Sequence, residues 1–208
     1  MKLNNNKLIK IDIFSDIICP WCYIGLRNLE NAFLNRNQLV PKYIWHAFFL
    51  NPHLPKSGID REQYLKLKFG KNFESVYKNI KKSGEKSGIL FNFSKISKTP
   101  NTKNIHKIII SSNNSKKLSE IFFKSYFIEG KDISNENIIK NILLNNDINY
   151  ENLKKKFIIA EKKINKDLNF AIKHNINSVP VFIFNDEYLI SGAHSKKIFL
   201  NILDTISN

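Results

Sequence analysis

The sequence is short of cysteine, short of arginine and without a long apolar run. Its 208 residues include two cysteines, one methionine and seven glycines. A membrane-spanning helix needs about 20 consecutive apolar residues, and no such run occurs, so no membrane partner is predicted. The first residues mix charged and polar side chains with apolar ones and lack the pattern of a secretory signal. We therefore expect a cytoplasmic protein.

Arginine is scarce although the chain is strongly basic. Among 33 lysines and arginines, which face 18 aspartates and glutamates, the arginines are Arg27, Arg36 and Arg61. Lysine, asparagine and isoleucine are abundant together, as A/T-rich codons would produce. Phosphate and base recognition favours the planar guanidinium group, and the lysines are spread along the chain. We predict no nucleic-acid partner, and the net charge of +15 is interpreted as solvated surface.

Strand patterns occupy the two ends of the chain, and helical patterns fill the middle. Alternation and three- to four-residue apolar spacing distinguish the two kinds of segment. The predicted terminal elements are a strand at 8–14, a helix at 22–34, a strand at 42–50 opened by Pro41, strands at 179–184 and 187–191 joined by a turn at Asn185 and Asp186, and a helix at 196–206. This order predicts one sheet built from both ends.

The middle of the chain is predicted as a helical insertion. Helices are expected at 116–128, from Ser134 to about 144, and at 149–174, the last being interpreted as core of the insertion. The expected division is 1–52 and 174–208 for the two parts of the sheet domain, with 53–173 inserted between them. The fold class predicted in this way is α/β.

The two cysteines lie together in SDIICPWCYIG, residues 15–25. A structural zinc site would need a second cysteine pair or two histidines at suitable spacing, and none of the five histidines lies three to five residues from another. A structural disulfide across so short a loop would contribute little stability. The remaining interpretations are a chance pair and a redox pair.

The position of the pair favours redox chemistry. Cys19 falls at the start of the first predicted helix, where free N–H groups and the helix dipole favour a thiolate. Pro20 suits a first helical turn because its missing N–H has no partner there. Cys22 lies one turn further on, beneath the sheet. We predict Cys19 as the exposed nucleophile, Cys22 as the resolving thiol, and Pro20 and Trp21 as the dipeptide that tunes the redox potential.

A second element stands at Ser178-Val179-Pro180, at the head of a predicted strand. A proline at the first residue of a strand is ordinary, because it has no N–H for the sheet. Beside a cysteine pair of this kind, a cis Val179–Pro180 bond would leave the backbone of Val179 free to pair with an incoming peptide.

Together these segments resemble the DsbA family of thioredoxin-fold oxidoreductases. Within it the chain is similar to the FrnE-like subgroup, which is related to 2-hydroxychromene-2-carboxylate isomerases and kappa glutathione transferases. The resemblance spans nearly the full length and is carried by SDIICPWCYIG, FFLNP at 48–52, NTKNIHKI at 101–108, FKSYFIEGKDIS at 123–134 and SVPVFIFNDEYLISGA at 178–193. It implies a thioredoxin fold with a large all-helical insertion.

The resemblance also implies an activity. We expect thiol–disulfide exchange with protein thiols and disulfides or with glutathione, no metal, and no cofactor beyond the Cys19–Cys22 disulfide, with glutathione as a candidate co-substrate. Two alternatives stay open. One is a glutathione-dependent isomerase or transferase, although related members carry serine where Cys19 stands. The other is a peptide-binding chaperone with idle thiols.

Four further side chains are weaker candidates. Asp16, three residues before Cys19, and His46, in the second strand, are predicted to tune the pKa of the site. A loop acid that caps the turn is an equally ordinary role for Asp16, and a strand histidine satisfied by packing is the more ordinary role for His46. His106 is expected to line a cleft that faces Cys19. Tyr23 is expected, with Trp21, to shape the surface around the disulfide.

Overall fold

A computed structural model describes residues 7–70 and 73–207. Its elements are β1 Lys7–Ser15, α1 Pro20–Phe33, β2 Leu39–Ala47, β3 Ile59–Asp60, α2 Arg61–Phe69, α3 Phe73–Lys86, β4 Lys98–Thr99, α4 Lys103–Ser111, α5 Ser115–Phe127, α6 Glu136–Leu144, α7 Tyr150–Lys154, α8 Phe157–Lys173, β5 Val181–Phe184, β6 Tyr188–Ser191 and α9 Lys196–Ser207. The central sheet has the order β2-β1-β5-β6. Strand β1 is parallel to β2 and antiparallel to β5.

Side-chain alternation along β1 gives the sheet two different faces. On one face Ile9, Ile11 and Ile13 are buried in the main core. This face is covered by α1 and α9, and Phe199 of α9 packs edge-on against Phe182 of β5 at 5.2 Å between ring centroids. On the opposite face Phe14 stacks on Phe170 of α8 at 5.5 Å. The sheet is therefore a buried layer between helices.

The predicted α/β thioredoxin fold with its insertion is confirmed, with three differences in detail. The insertion is not purely helical, because β3 and β4 pair over two residues each. The expected helix at 149–174 is two helices, α7 and α8, separated at Lys155 and Lys156. Helix α8 is more than core of the insertion, since it covers the second face of the sheet. A helix with an apolar stripe does not reveal from sequence which surface it packs against.

The terminal elements agree closely with their predicted bounds. The hairpin turn has Asn185 and Asp186 in the left-handed conformation that a two-residue turn requires. Strand β2 begins before Pro41 and ends at Ala47, whereas the prediction began after Pro41 and ran to residue 50. Proline is tolerated inside β2 because this strand lies at the edge of the sheet. Among the helices described, none is long and apolar enough to span a membrane.

Candidate active site

The two cysteines lie at the N-terminus of α1, as predicted. Cys19 is the residue that precedes the first helical position, and Pro20 begins the helix. The N–H of Cys19 donates to Asp16 O at 3.0 Å, and the N–H of Cys22 donates to Cys19 O at 3.1 Å. Both residues are free thiols here. The first turn of the helix thus fixes both sulfurs on one side of the loop after β1.

The Val179–Pro180 segment meets this turn across the molecule. The Val179–Pro180 bond is cis, as predicted. The Cys19 thiol donates to Val179 O, with 3.6 Å between sulfur and oxygen. Helix α1 approaches this segment closely at Gly25, where a methyl group would lie 3.2 Å from the Pro180 ring. The cysteine pair and the cis-proline segment therefore form one site.

Burial differs from the prediction at the first cysteine. Cys19 is only 5% exposed, because its thiol points at Val179 O rather than into solvent. Cys22 is 2% exposed, as expected for the deeper thiol. Trp21, between them, is the exposed residue of the motif at 38%. Trp21 is thus the side chain of this motif that solvent reaches, while Tyr23 turns inward and stacks on Phe123.

The environment of Cys22 opposes its ionisation. Burial raises the pKa of the Cys22 thiol well above its usual range, and the neighbouring Cys19 thiol raises it further. The Ser15 hydroxyl and the Asp16 N–H act in the opposite direction, because they hydrogen-bond the sulfur. Cys22 is therefore held as a protonated thiol while it has no reaction partner.

Asp16 connects the cysteine loop to two distant segments. Its side chain is fully buried. Its Oδ2 accepts the N–H of Leu50 at 2.8 Å, and its Oδ1 lies 3.4 Å from His106 Nε2. Leu50 belongs to FFLNP and His106 to NTKNIHKI, so three of the segments that carry the family resemblance meet at this carboxylate. Whether Asp16 tunes the site stays a prediction.

His106 does not line a cleft toward Cys19, contrary to the expectation from sequence. Its side chain is fully buried and faces Asp16. The Trp45 Nε1–H donates to His106 Nδ1 at 3.3 Å. An acceptor nitrogen carries no proton, so the ring proton lies on Nε2 and is directed at Asp16. Position 106 was recognisable from sequence as part of a motif, but its contacts were not.

His46 lies on the other face of the sheet, away from both cysteines. Its Nε2 is 2.6 Å from Asp12 Oδ1 and its Nδ1 is 2.7 Å from Asp167 Oδ1. Burial lowers the pKa of His46, but the hydrogen bonds to these two carboxylates raise it by more. The structure does not bring His46 to the cysteine pair, so it has no direct route to tune the pKa of the thiols.

The residues around the thiols fit dithiol chemistry. Within residues 7–70 and 73–207, no group of three or more histidine, cysteine or acidic side chains is arranged to hold a metal ion.

Sequence reasoning missed the contributions of Ser15, Trp45 and Leu50. Strand alternation could have indicated Trp45, since it places Trp45 and His46 on opposite faces of β2. The backbone N–H of Leu50 leaves no signal in the side-chain sequence.

Comparison with known proteins identifies the family. The model of the DSBA-like thioredoxin domain matches residues 10–204. The chain belongs to this family. Among curated proteins, the uncharacterized protein YwbO of Bacillus subtilis is 24% identical over 92% of this chain and 94% of its own length.

Solved structures share the fold. A probable DsbA oxidoreductase from Streptomyces coelicolor superposes with a TM-score of 0.83 at 19% identity, covering 95% of this chain and 89% of that one. The cytosolic disulfide reductase DsbM from Pseudomonas aeruginosa gives a TM-score of 0.66 at 12% identity, with 95% and 98% covered. The insertion is therefore part of the shared architecture.

Proposed function

We propose that the protein is a thiol–disulfide oxidoreductase that works through the Cys19–Cys22 pair. The observation that carries the proposal is the contact between Cys19 Sγ and Val179 O, 3.6 Å apart, at the N-terminus of α1. It brings the sulfur at the N-terminus of α1 to the backbone of the residue before Pro180. A substrate bound to that backbone would present its own sulfur to Cys19.

The steps follow from the different depths of the two thiols. The Cys19 thiolate attacks one sulfur of a substrate disulfide; a Cys19–substrate bond forms, the substrate S–S bond breaks, and one substrate sulfur leaves as a thiolate. Cys22 then attacks Cys19 Sγ, and its proton passes to the substrate thiolate that left first. The second substrate sulfur leaves, and the Cys19–Cys22 disulfide remains. Two electrons pass to the substrate, and the reverse sequence oxidises a dithiol.

The proposed partners are protein thiols and disulfides or glutathione, in the cytoplasm, with no cofactor other than the cysteine pair. Support for this setting comes from fold relatives. One is named a cytosolic disulfide reductase, and a structure of that protein is titled as containing GSH.

The test is a redox titration of the protein against glutathione buffers, read by alkylation and mass. We expect one two-electron transition in the wild type. Cys22→Ser should accumulate a mixed disulfide at Cys19, because the resolving thiol is missing, whereas Cys19→Ser should form none. Absence of any transition in the wild type would refute the proposal.

Cysteine variants also separate the two alternatives. A glutathione-dependent isomerase or transferase would form a lasting glutathione adduct at Cys19 and would keep its activity in Cys22→Ser. A chaperone with idle thiols would bind unfolded clients equally well when both cysteines are replaced. If the wild type shows no two-electron transition and one of these results is found, the corresponding alternative replaces the oxidoreductase as the proposed function.

A further inference from the structure

The loop between β1 and α1 contains a buried charge whose only partners in the described residues are the Leu50 N–H and His106. The Asp16 carboxylate is fully buried, as is the His106 ring. A buried carboxylate stays ionised only where hydrogen bonds replace its lost hydration. Here the Leu50 N–H serves one oxygen and His106 Nε2–H serves the other. Removal of either donor would leave one oxygen of this carboxylate without its hydrogen bond.

The backbone of Asp16 touches both cysteines. Its carbonyl oxygen accepts the N–H of Cys19 at 3.0 Å, and its N–H hydrogen-bonds the Cys22 sulfur. The carboxylate of the same residue is therefore held within the loop that carries the thiols. A fixed negative charge there disfavours a thiolate. It favours the disulfide form of the pair, which is the form left after a substrate has been reduced.

His106 is kept in the required tautomer from its other side. Because Trp45 Nε1–H donates to Nδ1 at 3.3 Å, the single ring proton resides on Nε2 and points at Asp16. The order Trp45–His106–Asp16 thus runs in one direction, each group donating to the next. It joins β2 and α4 of the insertion to the cysteine loop.

We propose that His106 is a positioning residue that sets the redox potential of the Cys19–Cys22 pair through Asp16. It holds the Asp16 carboxylate in place within the loop that carries the cysteines, and the negative charge of that carboxylate makes the pair a stronger reductant than it would otherwise be. The insertion thereby adjusts the chemistry of the thioredoxin unit through one hydrogen bond. This inference rests on the proposed function, because it concerns the potential of that same pair.

The experiment measures the equilibrium constant for the reaction of the Cys19–Cys22 disulfide with two glutathione molecules, which yields the dithiol and oxidised glutathione. In His106→Leu the donor is lost, and we expect the constant to shift about tenfold toward the dithiol, as one altered charge interaction would cause. Asp16→Asn should shift it equally. The double variant should match Asp16→Asn, because both changes act on one charge.

Two controls separate this effect from general damage. His106→Gln keeps an N–H donor and should restore at least half of the shift on a logarithmic scale. His174→Gln, an exposed histidine at the end of α8, should leave the constant within twofold of the wild type. If the wild type titrates but His106→Leu does not shift, or if the two shifts add, the inference is wrong and the oxidoreductase remains. If the wild type shows no transition, the proposed function itself fails.

Discussion

Two buried carboxylate–histidine clusters lie on opposite faces of the same sheet, and they hold their protons differently. On the cysteine side, His106 has one carboxylate partner, Asp16, and a Trp45 donor on its other nitrogen. On the far side, His46 lies between two carboxylates, Asp12 and Asp167. Both nitrogens of His46 therefore face a carboxylate oxygen. Burial lowers the pKa of the ring, and the hydrogen bonds to the two carboxylates raise it by more. The two rings thus differ in the number of carboxylates that contact them.

The origin of this difference is a pair of adjacent residues. Trp45 and His46 are neighbours in β2, so the pleat directs them to opposite faces. On the far side Lys163 Nζ also contacts Asp167 Oδ1, at 2.8 Å. Burial raises the pKa of Asp167, but the hydrogen bonds from His46 and Lys163 lower it by more, so the net effect is a lowered pKa. The far cluster is ionic and joins α8 to the sheet, whereas the near cluster joins α4 to the cysteine loop.

The largest expected effect comes from removing the Asp167 carboxylate from the far cluster. Asp167→Ala leaves His46 and Lys163 as partly buried cations and also removes the acceptor for the Ala47 N–H. We expect the free energy of unfolding to fall by about 3 kcal/mol, as when one partner of a buried ion pair is removed. Urea denaturation measures the change.

A surface aspartate supplies the matched control. Asp204→Ala breaks an exposed pair with Arg36 and should leave the denaturation midpoint unchanged. Asp167→Ala should also keep the redox equilibrium of the cysteines, since α8 does not contact the thiols through this cluster. Equal midpoints for the two alanine variants would show that the far cluster does not stabilise the fold.

The cluster on the cysteine side was partly predictable from sequence. The cysteine pair, the cis-proline segment and the terminal strands and helices have local signatures, and their positions in the fold were located correctly. Asp16 and His106 were recognised as candidates one by one. Their contact joins positions 90 residues apart, and nothing in the local pattern of either segment specifies it. The same limit explains why Cys19 was expected to be exposed.

The far cluster was not predicted, although His46 was itself a candidate for tuning the thiols. Its four members, Asp12, His46, Lys163 and Asp167, come from β1, β2 and α8. The apolar stripe of α8 was interpreted as core of the insertion. Asp167 and Lys163 are ordinary helix residues by spacing, an i, i+4 pair that would be expected on a solvated face. Only the packing of α8 on the sheet turns Asp167 into a buried carboxylate.

The second effect is a pH dependence that belongs to the far cluster. The raised pKa of His46 stabilises the fold in full below about pH 6.5, its unfolded value, and this contribution is lost as the pH rises through the folded pKa. The pKa of Asp12 is lowered, because the hydrogen bonds from His46 and Lys10 outweigh the effect of its burial. The contribution of Asp12 to the stability of the fold, like that of Asp167, is therefore present above about pH 3.9 and is lost as the pH falls.

His46→Gln tests this window. The wild type should exceed the variant by about 2 kcal/mol in free energy of unfolding near pH 5, with a smaller difference at both pH 3 and pH 9. Denaturation at a series of pH values gives the curve, and His53→Gln, an exposed histidine, should follow the wild type throughout. A difference that grows steadily toward pH 9 would mean that His46 is neutral in the folded protein.

The smallest expected effect is a change in where the His106 ring carries its proton, which is the property that distinguishes the two clusters. Trp45→Phe keeps a buried ring beside His106 but removes the Nε1–H that occupies Nδ1. Nδ1 then has no donor that confines the ring proton to Nε2, so the proton of His106 should be shared between the two nitrogens. Imidazole ¹⁵N chemical shifts at neutral pH report it: one protonated and one bare nitrogen for His106 in the wild type, and two protonated nitrogens for His46. If His106 of the wild type carries a proton on both nitrogens, the two clusters do not differ in this way. There would then be no reason to assign Trp45 a part in fixing the tautomer of His106.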